Sequence, residues 1–155
     1  MKVQRATPGD ADALTAIAFA AKRHWGYPDD WIQRWKVALT VTPEYIRSHP
    51  TYAAIANQRI AGFCAFQLKS GAAFLEHLWV EPGSIRRGVG RALFGCAEQL
   101  ARDGGASRIE IESDPHARGF YEEMGATVYG AEPAAMDDHP RFLPLLRKEL
   151  RQQNP

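Results

Sequence analysis

Hydrophobic and polar positions alternate over the first residues and then repeat at helical spacing. The alternation predicts a strand over Val3 to Ala6. The turn Thr7 to Asp10 follows and leads into a helix from Ala11 to about Lys22, with Asp10 as its predicted cap. The aromatic-rich stretch from His24 to Pro50 contains apolar residues at helical spacing and is interrupted by prolines, which predicts a short amphipathic helix between irregular segments.

The middle of the chain contains apolar or alternating segments separated by short polar turns. The segments Thr51 to Asn57, Ile60 to Leu68 and Ala73 to Val80 predict three antiparallel strands. A single apolar stripe predicts a helix over Gly88 to Asp103, and alternation predicts a strand over Arg108 to Glu112.

The last third of the chain adds one helix and two strands. The helix is predicted from Ala117 to Met124, and the strands over Ala126 to Tyr129 and Phe142 to Leu150. An antiparallel meander followed by a strand-helix-strand crossover indicates an α+β fold.

Composition narrows the class of protein. The chain has 155 residues, 45% hydrophobic and 24% charged, and its 19 basic and 18 acidic residues leave a formal net charge of +1. Such a charge gives no reason to expect nucleic acid or an anionic membrane as partner, and no apolar run reaches the roughly 18 residues of a membrane span. Cys64 and Cys96 lie in apolar runs without metal-site or disulfide spacing. We expect one domain over residues 1–155 in the cytoplasm.

A glycine- and arginine-rich segment between the predicted strand Ala73 to Val80 and the following helix is the strongest candidate for chemistry. Free N–H groups in the first turn of a helix attract anions, and glycines allow close approach. Arginine side chains add charge suited to a pyrophosphate or a sugar phosphate. The segment contains Arg86, Arg87, Gly88, Val89, Gly90 and Arg91.

A glycine-rich loop of this kind has three other interpretations. A P-loop is excluded because Val89 stands where its lysine must be. A dinucleotide-binding oxidoreductase is disfavoured because Leu93 replaces the third small residue, although Glu110 lies at the distance of that motif's acidic residue. An ordinary turn with solvated arginines is the remaining alternative.

A second motif lies downstream, where Ala117, Phe120, Tyr121, Glu122 and Gly125 follow one another at fixed spacing. Together the two motifs resemble the GNAT N-acetyltransferase superfamily, most clearly from Ile60 to Gly130. The resemblance implies a mostly antiparallel mixed sheet of six to seven strands, with the fourth and fifth strands splayed and about four helices around it.

The resemblance also implies a binding mode for acetyl-CoA. Pantetheine is expected between the splayed strands, with backbone partners at Leu78, Trp79 and Val80 and the pyrophosphate on the loop 86–91. Asp114 and Phe120 belong to the same implied site, although Asp114 stands where the family often has asparagine. Ile85 also departs from the family's loop, but a loop that works through backbone N–H groups tolerates it.

The acceptor amine is protonated at neutral pH and must lose a proton before it attacks. Glu76 is the candidate base, because it shares a strand face with Leu78 and Val80 and matches a position that some family members use. A structural or acceptor-binding carboxylate is the alternative role. Glu81 and His77 are weaker candidates for the base.

Tyr121 matches the family tyrosine near the sulfur and is the candidate acid that protonates the leaving thiolate, the alternative being a core aromatic residue. Neither cysteine has a neighbouring histidine in sequence, so direct transfer is expected. The five histidines are scattered without ligand spacing, and we expect no metal.

The acceptor-binding candidates are Trp25 and Tyr27, whose rings suit a cationic, partly apolar amine. The alternatives in this region are that Trp31 and Trp35 anchor the core of an amphipathic helix, or that exposed aromatic residues form a homodimer contact. The predicted function is therefore an acetyl-CoA-dependent N-acetyltransferase acting on a small-molecule or peptide amine, with longer acyl donors possible. A non-catalytic acyl-CoA-binding or sensing module is the alternative.

Overall fold

The computed structural model describes residues 1–151, in which seven strands and six helices follow one another in a mixed order. The strands are β1 Lys2–Arg5, β2 Thr51–Ala56, β3 Arg59–Lys69, β4 Ala72–Val80, β5 Arg108–Glu112, β6 Thr127–Pro133 and β7 Phe142–Glu149. The helices are α1 Ala11–His24, α2 Asp29–Arg34, α3 Lys36–Leu39, α4 Pro43–Ser48, α5 Val89–Asp103 and α6 Arg118–Glu123.

Hydrogen bonding joins the strands into one seven-stranded sheet in the order β1-β2-β3-β4-β5-β7-β6. The β4–β5 pair is parallel, whereas β1–β2, β2–β3, β5–β7 and β6–β7 are antiparallel. The α+β prediction with a mixed, mostly antiparallel sheet is confirmed. Residue contacts divide the chain into two compact units, the first made of Met1–Phe66 and His77–Cys96 and the second of Gln67–Glu76 and the described residues from Ala97 onward.

The first unit has a buried core between its helices and its strands. Its buried core combines apolar residues of α1, of the short helices and of the strands, including Leu14, Ile17, Ile32, Ile46 and Phe63. Apolar residues at three- and four-residue spacing give α1 the stripe that it buries in this core.

Polar contacts fasten the helical segments of the first unit to its strands. The Arg5 guanidinium in β1 donates to the carbonyl oxygens of Ile46, at 2.7 Å, and of His49, at 2.8 Å. The Thr15 hydroxyl in α1 accepts from the Val41 N–H at 2.9 Å and donates to the Val41 carbonyl. Buried backbone groups of the connecting segments thereby find partners.

The predicted cap of α1 is wrong. The Asp10 carboxylate accepts from the Thr7 N–H at 2.8 Å, in the turn before the helix, and makes no capping hydrogen bond to α1. Residues Pro8–Asp10 form a 3-10 turn that continues into the helix, so the side chain of Asp10 closes the turn that precedes α1.

The second unit holds the parallel strand pair and the last hairpin. Residues Ala72–Leu75 of β4 pair with Arg108–Ile111 of β5, and β5 continues the sheet through β7 to β6. Glu110 of β5 is 8% exposed and accepts hydrogen bonds from Arg108 (2.7 Å), Arg147 (2.6 Å) and the Tyr129 hydroxyl (2.9 Å). Burial opposes ionisation of Glu110, but the three donors outweigh it and lower the pKa of this carboxyl.

Among the described residues, no helix combines the length and the apolar character needed to cross a bilayer.

Candidate functional site

The segment between β4 and α5 forms a tight loop whose backbone turns sharply twice. Pro82–Ser84 make a 3-10 turn, and the Ser84 hydroxyl donates to the Glu81 carboxylate at 3.1 Å. Arg86 and Gly88 then adopt positive φ angles of 66° and 81°. Left-handed backbone lets the chain reverse direction and enter α5 with its first amides facing the loop.

The start of α5 has the properties of an anion site. Helix α5 begins at Val89 and runs for 15 residues, and the Gly88 carbonyl accepts the Ala92 N–H at 3.0 Å. The amides of the first turn have no acceptor within the helix, and the helix dipole adds partial positive charge there. A Cβ added at Gly88 would meet no atom within 4 Å. The side chains of Arg86, Arg87 and Arg91 are exposed around this opening.

The strand that leads into the loop ends with half-buried residues. Leu78, Trp79 and Val80 are all half-buried, and the Glu81 N–H donates to the Ala61 carbonyl at 2.8 Å. The parallel pairing of β4 with β5 covers Ala72–Leu75, whereas β4 itself extends to Val80. The role of the three residues as backbone partners of a cofactor stays a prediction.

Gly62 in β3 lies against the end of β4 and the start of α5, and no local pattern around it indicates this contact. An added Cβ would lie 2.7 Å from the Trp79 carbonyl oxygen, 3.0 Å from Val89 Cγ1 and 3.1 Å from Leu93 Cδ1. The backbone of β4 therefore comes so close to β3 that only glycine fits at this position.

Gly62→Ala is expected to lower the free energy of unfolding by about 1–3 kcal/mol, because the new methyl group pushes against a backbone carbonyl. Gly95→Ala in α5 is the matched control, since a Cβ there meets nothing within 4 Å and alanine favours a helix. Urea unfolding of the two variants measures the difference. An equal or higher stability for Gly62→Ala would show that the strands can separate at no cost.

Glu76 lies in the second unit, at an open groove on the sheet. The side chain is exposed, and the groove has a volume of about 440 Å³. The groove is lined by Phe74, Leu75, Glu76, Glu110, Ile111, Glu112, Tyr129 and Leu145. A carboxylate at the rim of an open groove is accessible to a ligand amine, and the catalytic role of Glu76 stays a prediction.

Asp114 is held by groups of its own unit. Its carboxylate accepts from the His116 N–H at 2.8 Å, lies 2.9 Å from His116 Nδ1, and accepts from Arg141 Nη2 at 3.1 Å. It thereby caps the 3-10 turn Pro115–Ala117 that leads into α6. These contacts give Asp114 a structural role. Its contact with the cofactor stays a prediction.

Helix α6 carries the second motif. Tyr121 is 6% exposed, and its ring contacts that of Phe120 at a centroid distance of 5.2 Å. Phe120 is half-buried. Burial of the Tyr121 ring agrees with a packing role, and the predicted proton transfer concerns its hydroxyl group alone.

Trp25 and Tyr27 are half-buried members of an aromatic cluster in the first unit. Trp25 packs on Trp79 at 5.8 Å, and Tyr27 meets Trp35 edge-on at 5.0 Å. Within the cluster lies the ammonium group of Lys22, a residue that the sequence analysis did not select. Nothing in the sequence near Lys22 indicates which rings surround it. Acceptor binding by Trp25 and Tyr27 stays a prediction.

His77 is a neutral, structurally engaged residue. Its Nδ1 accepts a hydrogen bond from Trp79 Nε1 at 3.0 Å, which places the proton of the neutral ring on Nε2. Burial and the nearby His49 lower the pKa of His77 to about 4. A neutral His77 ring whose Nδ1 accepts this hydrogen bond supports the Trp79 ring.

The protein is expected to lose stability between pH 6.5 and about pH 4, the ordinary and the lowered pKa of His77. In this range the unfolded chain binds a proton at His77 and the folded chain does not, so stability falls with falling pH by up to about 1.4 kcal/mol per unit. His77→Asn keeps an acceptor for Trp79 but cannot titrate. Urea unfolding at pH 7 and pH 5 should show a smaller loss for the variant than for the wild type; equal losses would contradict the assignment.

Both cysteines are protonated thiols. Burial raises the pKa of the Cys64 thiol. It also raises the pKa of Cys96, which is less deeply buried. The Cys64 Sγ donates to the Leu93 carbonyl at 3.7 Å. Neither thiol has the lowered pKa that a cysteine nucleophile requires.

A comparison with known protein families gives a match over most of the chain. Residues 13–126 match the family described as the acetyltransferase (GNAT) family. None of the curated proteins compared with the sequence matches it significantly.

Solved structures with the same fold are distant in sequence. A GCN5-related N-acetyltransferase from Rhodopseudomonas palustris is 20% identical, with a TM-score of 0.79 over 96% of this chain and 95% of that one. PaiA N-acetyltransferase from Thermoplasma acidophilum, in complex with coenzyme A, is 16% identical, with a TM-score of 0.75 over 96% and 98%. The ribosomal-protein-S18-alanine N-acetyltransferase from Escherichia coli is 18% identical, with a TM-score of 0.74 over 99% and 96%.

Proposed function

Because the chain belongs to the GNAT acetyltransferase family, we propose that it transfers the acetyl group of acetyl-CoA directly to a primary amine of a small molecule or peptide. The observation that carries this proposal is the glycine- and arginine-rich loop that opens α5, inside the matched residues. The names of two neighbours support the acceptor class, since one acts on a ribosomal-protein alanine and another is an aminoglycoside 6'-N-acetyltransferase.

The loop suits the pyrophosphate of coenzyme A. The first-turn amides of α5 are donors for phosphate oxygens, and the open space at Gly88 leaves room for them to approach the backbone. Arg86, Arg87 and Arg91 add charge-assisted contacts. Coenzyme A bound to PaiA, which shares this fold, supports the same ligand here.

The end of β4 suits the extended part of the same ligand. An extended amide-containing chain binds to a strand through backbone hydrogen bonds. We assign this task to the backbone of Leu78, Trp79 and Val80, and polarisation of the thioester carbonyl to an N–H group there. Phe120 and Asp114 complete the proposed set of cofactor-binding residues.

Two side chains carry the proton transfers. Acetyl-CoA supplies an activated acetyl thioester when bound. Glu76 takes a proton from the acceptor ammonium, so that the amine nitrogen has a lone pair with which to bond the acetyl carbon. The bond from that carbon to sulfur breaks, and the Tyr121 hydroxyl donates a proton to the departing thiolate. The nitrogen gives up its second proton as the amide forms, and this proton restores the Tyr121 hydroxyl through solvent.

The function is tested first by calorimetric titration of the purified protein with acetyl-CoA, coenzyme A and NADH. Micromolar affinity for acetyl-CoA and none for NADH is expected, followed by release of free thiol when primary amines are added. Binding of acetyl-CoA without thiol release for any of a panel of amines would favour a non-catalytic acyl-CoA-binding module. Absence of binding would overturn the cofactor assignment.

Gly88→Ala is expected to weaken acetyl-CoA binding by at least about tenfold, because the methyl group occupies the space in which phosphate approaches the loop. Gly71→Ala is the matched control, since Gly71 also has positive φ (77°) and open space around a Cβ, but lies in the turn between β3 and β4. Both variants carry the same backbone strain of about 1 kcal/mol. Calorimetry separates them, and equal affinities would argue against the loop as the phosphate site.

We further propose that residues 1–155 form one acetyltransferase domain and that it works in the cytoplasm. The neighbours support the first point, because each of the three is covered over at least 95% of its own length. The two free cysteines are compatible with a reducing compartment. Light scattering tests whether the purified protein is a monomer or a homodimer.

A further inference from the structure

Lys22 ends inside a cage of aromatic rings. Its ammonium nitrogen lies 4.3 Å from the ring centre of Trp35, 5.0 Å from Tyr27, 5.8 Å from Trp25 and 5.9 Å from Trp79. All four distances are within the roughly 6 Å over which a cation is attracted to an aromatic face. The residue is 8% exposed, so the cage holds its cation largely out of water.

The rings of the cage support one another independently of the lysine. Trp25 packs on Trp79, and Tyr27 meets Trp35 edge-on, while Trp31 stacks beside Tyr27 at 6.1 Å. His77 holds the Trp79 ring through its indole N–H. A box made of mutually packed rings is pre-formed, and such boxes bind organic ammonium groups.

The cage includes residues with predicted roles in binding the acceptor and the cofactor. Trp25 and Tyr27 are the residues predicted to bind the acceptor, and the backbone of Trp79 is proposed to bind the cofactor. The reacting amine is proposed to give its proton to Glu76, so the remaining part of the acceptor is what meets these rings, and their cation position is already filled by Lys22. A second ammonium group in the same box would lie beside the first, and two like charges at such a distance repel strongly where water is excluded.

We propose that Lys22 is a specificity-determining residue, whose ammonium group fills the aromatic cage and keeps a second cationic group out. The acceptor class that follows is a monoamine whose remaining part is neutral or anionic, in preference to a polyamine. This inference rests on the proposed function, but the occupancy of the cage can be measured without turnover.

Binding of a cation to the cage is tested with n-propylammonium, which has the same three carbons and nitrogen that the substitution Lys22→Ala removes. Three of the four tryptophans of the protein line the cage, so their fluorescence reports on it. Millimolar n-propylammonium is expected to change the fluorescence of Lys22→Ala and to raise its Tm, and to have no such effect on the wild type or on Lys22→Met, in which a neutral side chain fills the box. A response of the wild type equal to that of Lys22→Ala, or no response of a folded Lys22→Ala, overturns the proposal.

Selectivity is tested by the ratio of kcat/KM for 1,4-diaminobutane to that for butylamine. The ratio is expected to rise at least tenfold in Lys22→Met, which removes the charge, and to stay at the wild-type value in Lys22→Arg, which keeps it. If Lys22→Ala fails to fold, this comparison decides the matter, and an unchanged ratio in Lys22→Met overturns the proposal. Absence of acetyl transfer in every protein, including the wild type, instead contradicts the proposed function. In that case the response to n-propylammonium still tests whether Lys22 fills the cage.

Discussion

Glu76→Gln is expected to lower kcat/KM for acetyl transfer by at least about 100-fold, while the affinity for acetyl-CoA stays unchanged. A positioned general base contributes roughly 10²- to 10⁴-fold to a rate, and an amide cannot accept the proton of the acceptor ammonium. The substitution preserves the size and shape of an exposed side chain, so it leaves the fold intact. Steady-state assays with varied amine at saturating acetyl-CoA measure kcat/KM, and calorimetric titration measures the affinity for acetyl-CoA.

Glu112→Gln is the matched control for this experiment. Glu112 is also exposed and lines the same groove as Glu76, so both variants remove one negative charge from it. A general loss of negative charge would weaken activity in both variants, whereas loss of a base affects Glu76→Gln alone. Equal activity of Glu76→Gln and the wild type would show that Glu76 is not the base. Glu81 would then be the next candidate for the base.

Tyr121→Phe is expected to lower kcat by about 10- to 100-fold with little change in stability. The substitution removes only the hydroxyl group, and the ring keeps its contact with Phe120 in the buried position. The expected loss lies at the low end of general acid catalysis, because a thiolate is a good leaving group and needs less help than an alkoxide. Single-turnover kinetics with saturating acetyl-CoA and amine isolate the transfer step from product release.

Tyr129→Phe controls for the loss of a phenol hydroxyl at the groove that Glu76 also lines. The Tyr129 hydroxyl donates to Glu110, so its removal should reduce stability slightly and leave kcat unchanged. If Tyr121→Phe also retains full kcat, its role is that of a core aromatic residue, and another group or water protonates the thiolate. Reduced kcat in both variants would indicate a general disturbance of the second unit.

Local sequence patterns predicted most of the elements correctly, because their causes lie within a few residues. Alternation identified β5 at its observed bounds, Arg108–Glu112, and the apolar stripe identified α5 to within one residue. Glycines and prolines marked the loop between β4 and α5, since turn chemistry depends on neighbouring residues. The resemblance to the family was carried by that same loop and by α6, and the family match confirmed it.

Errors at element ends arose where a distant strand partner, or a competing hydrogen-bond donor nearby in the chain, decides. The strand predicted to end at Tyr129 extends to Pro133, because β6 continues to pair with β7 up to Phe142. The Asp10 carboxylate turns toward Thr7 and leaves α1 uncapped by a side chain, a choice between two nearby acceptor geometries that the sequence does not distinguish.

The sequence by itself determined the class of fold, the loop and the family, since periodicity, turn residues and motifs are local properties. Only the tertiary structure decided that Lys22 lies among rings from separate segments. The same holds for the close packing of the β4 backbone against Gly62 and for the hydrogen bond from Arg141 to Asp114. These contacts join residues far apart in the chain, and their geometry follows from how strands and helices pack. A side chain's surroundings, and with them its charge state and its chemistry, are therefore set by packing.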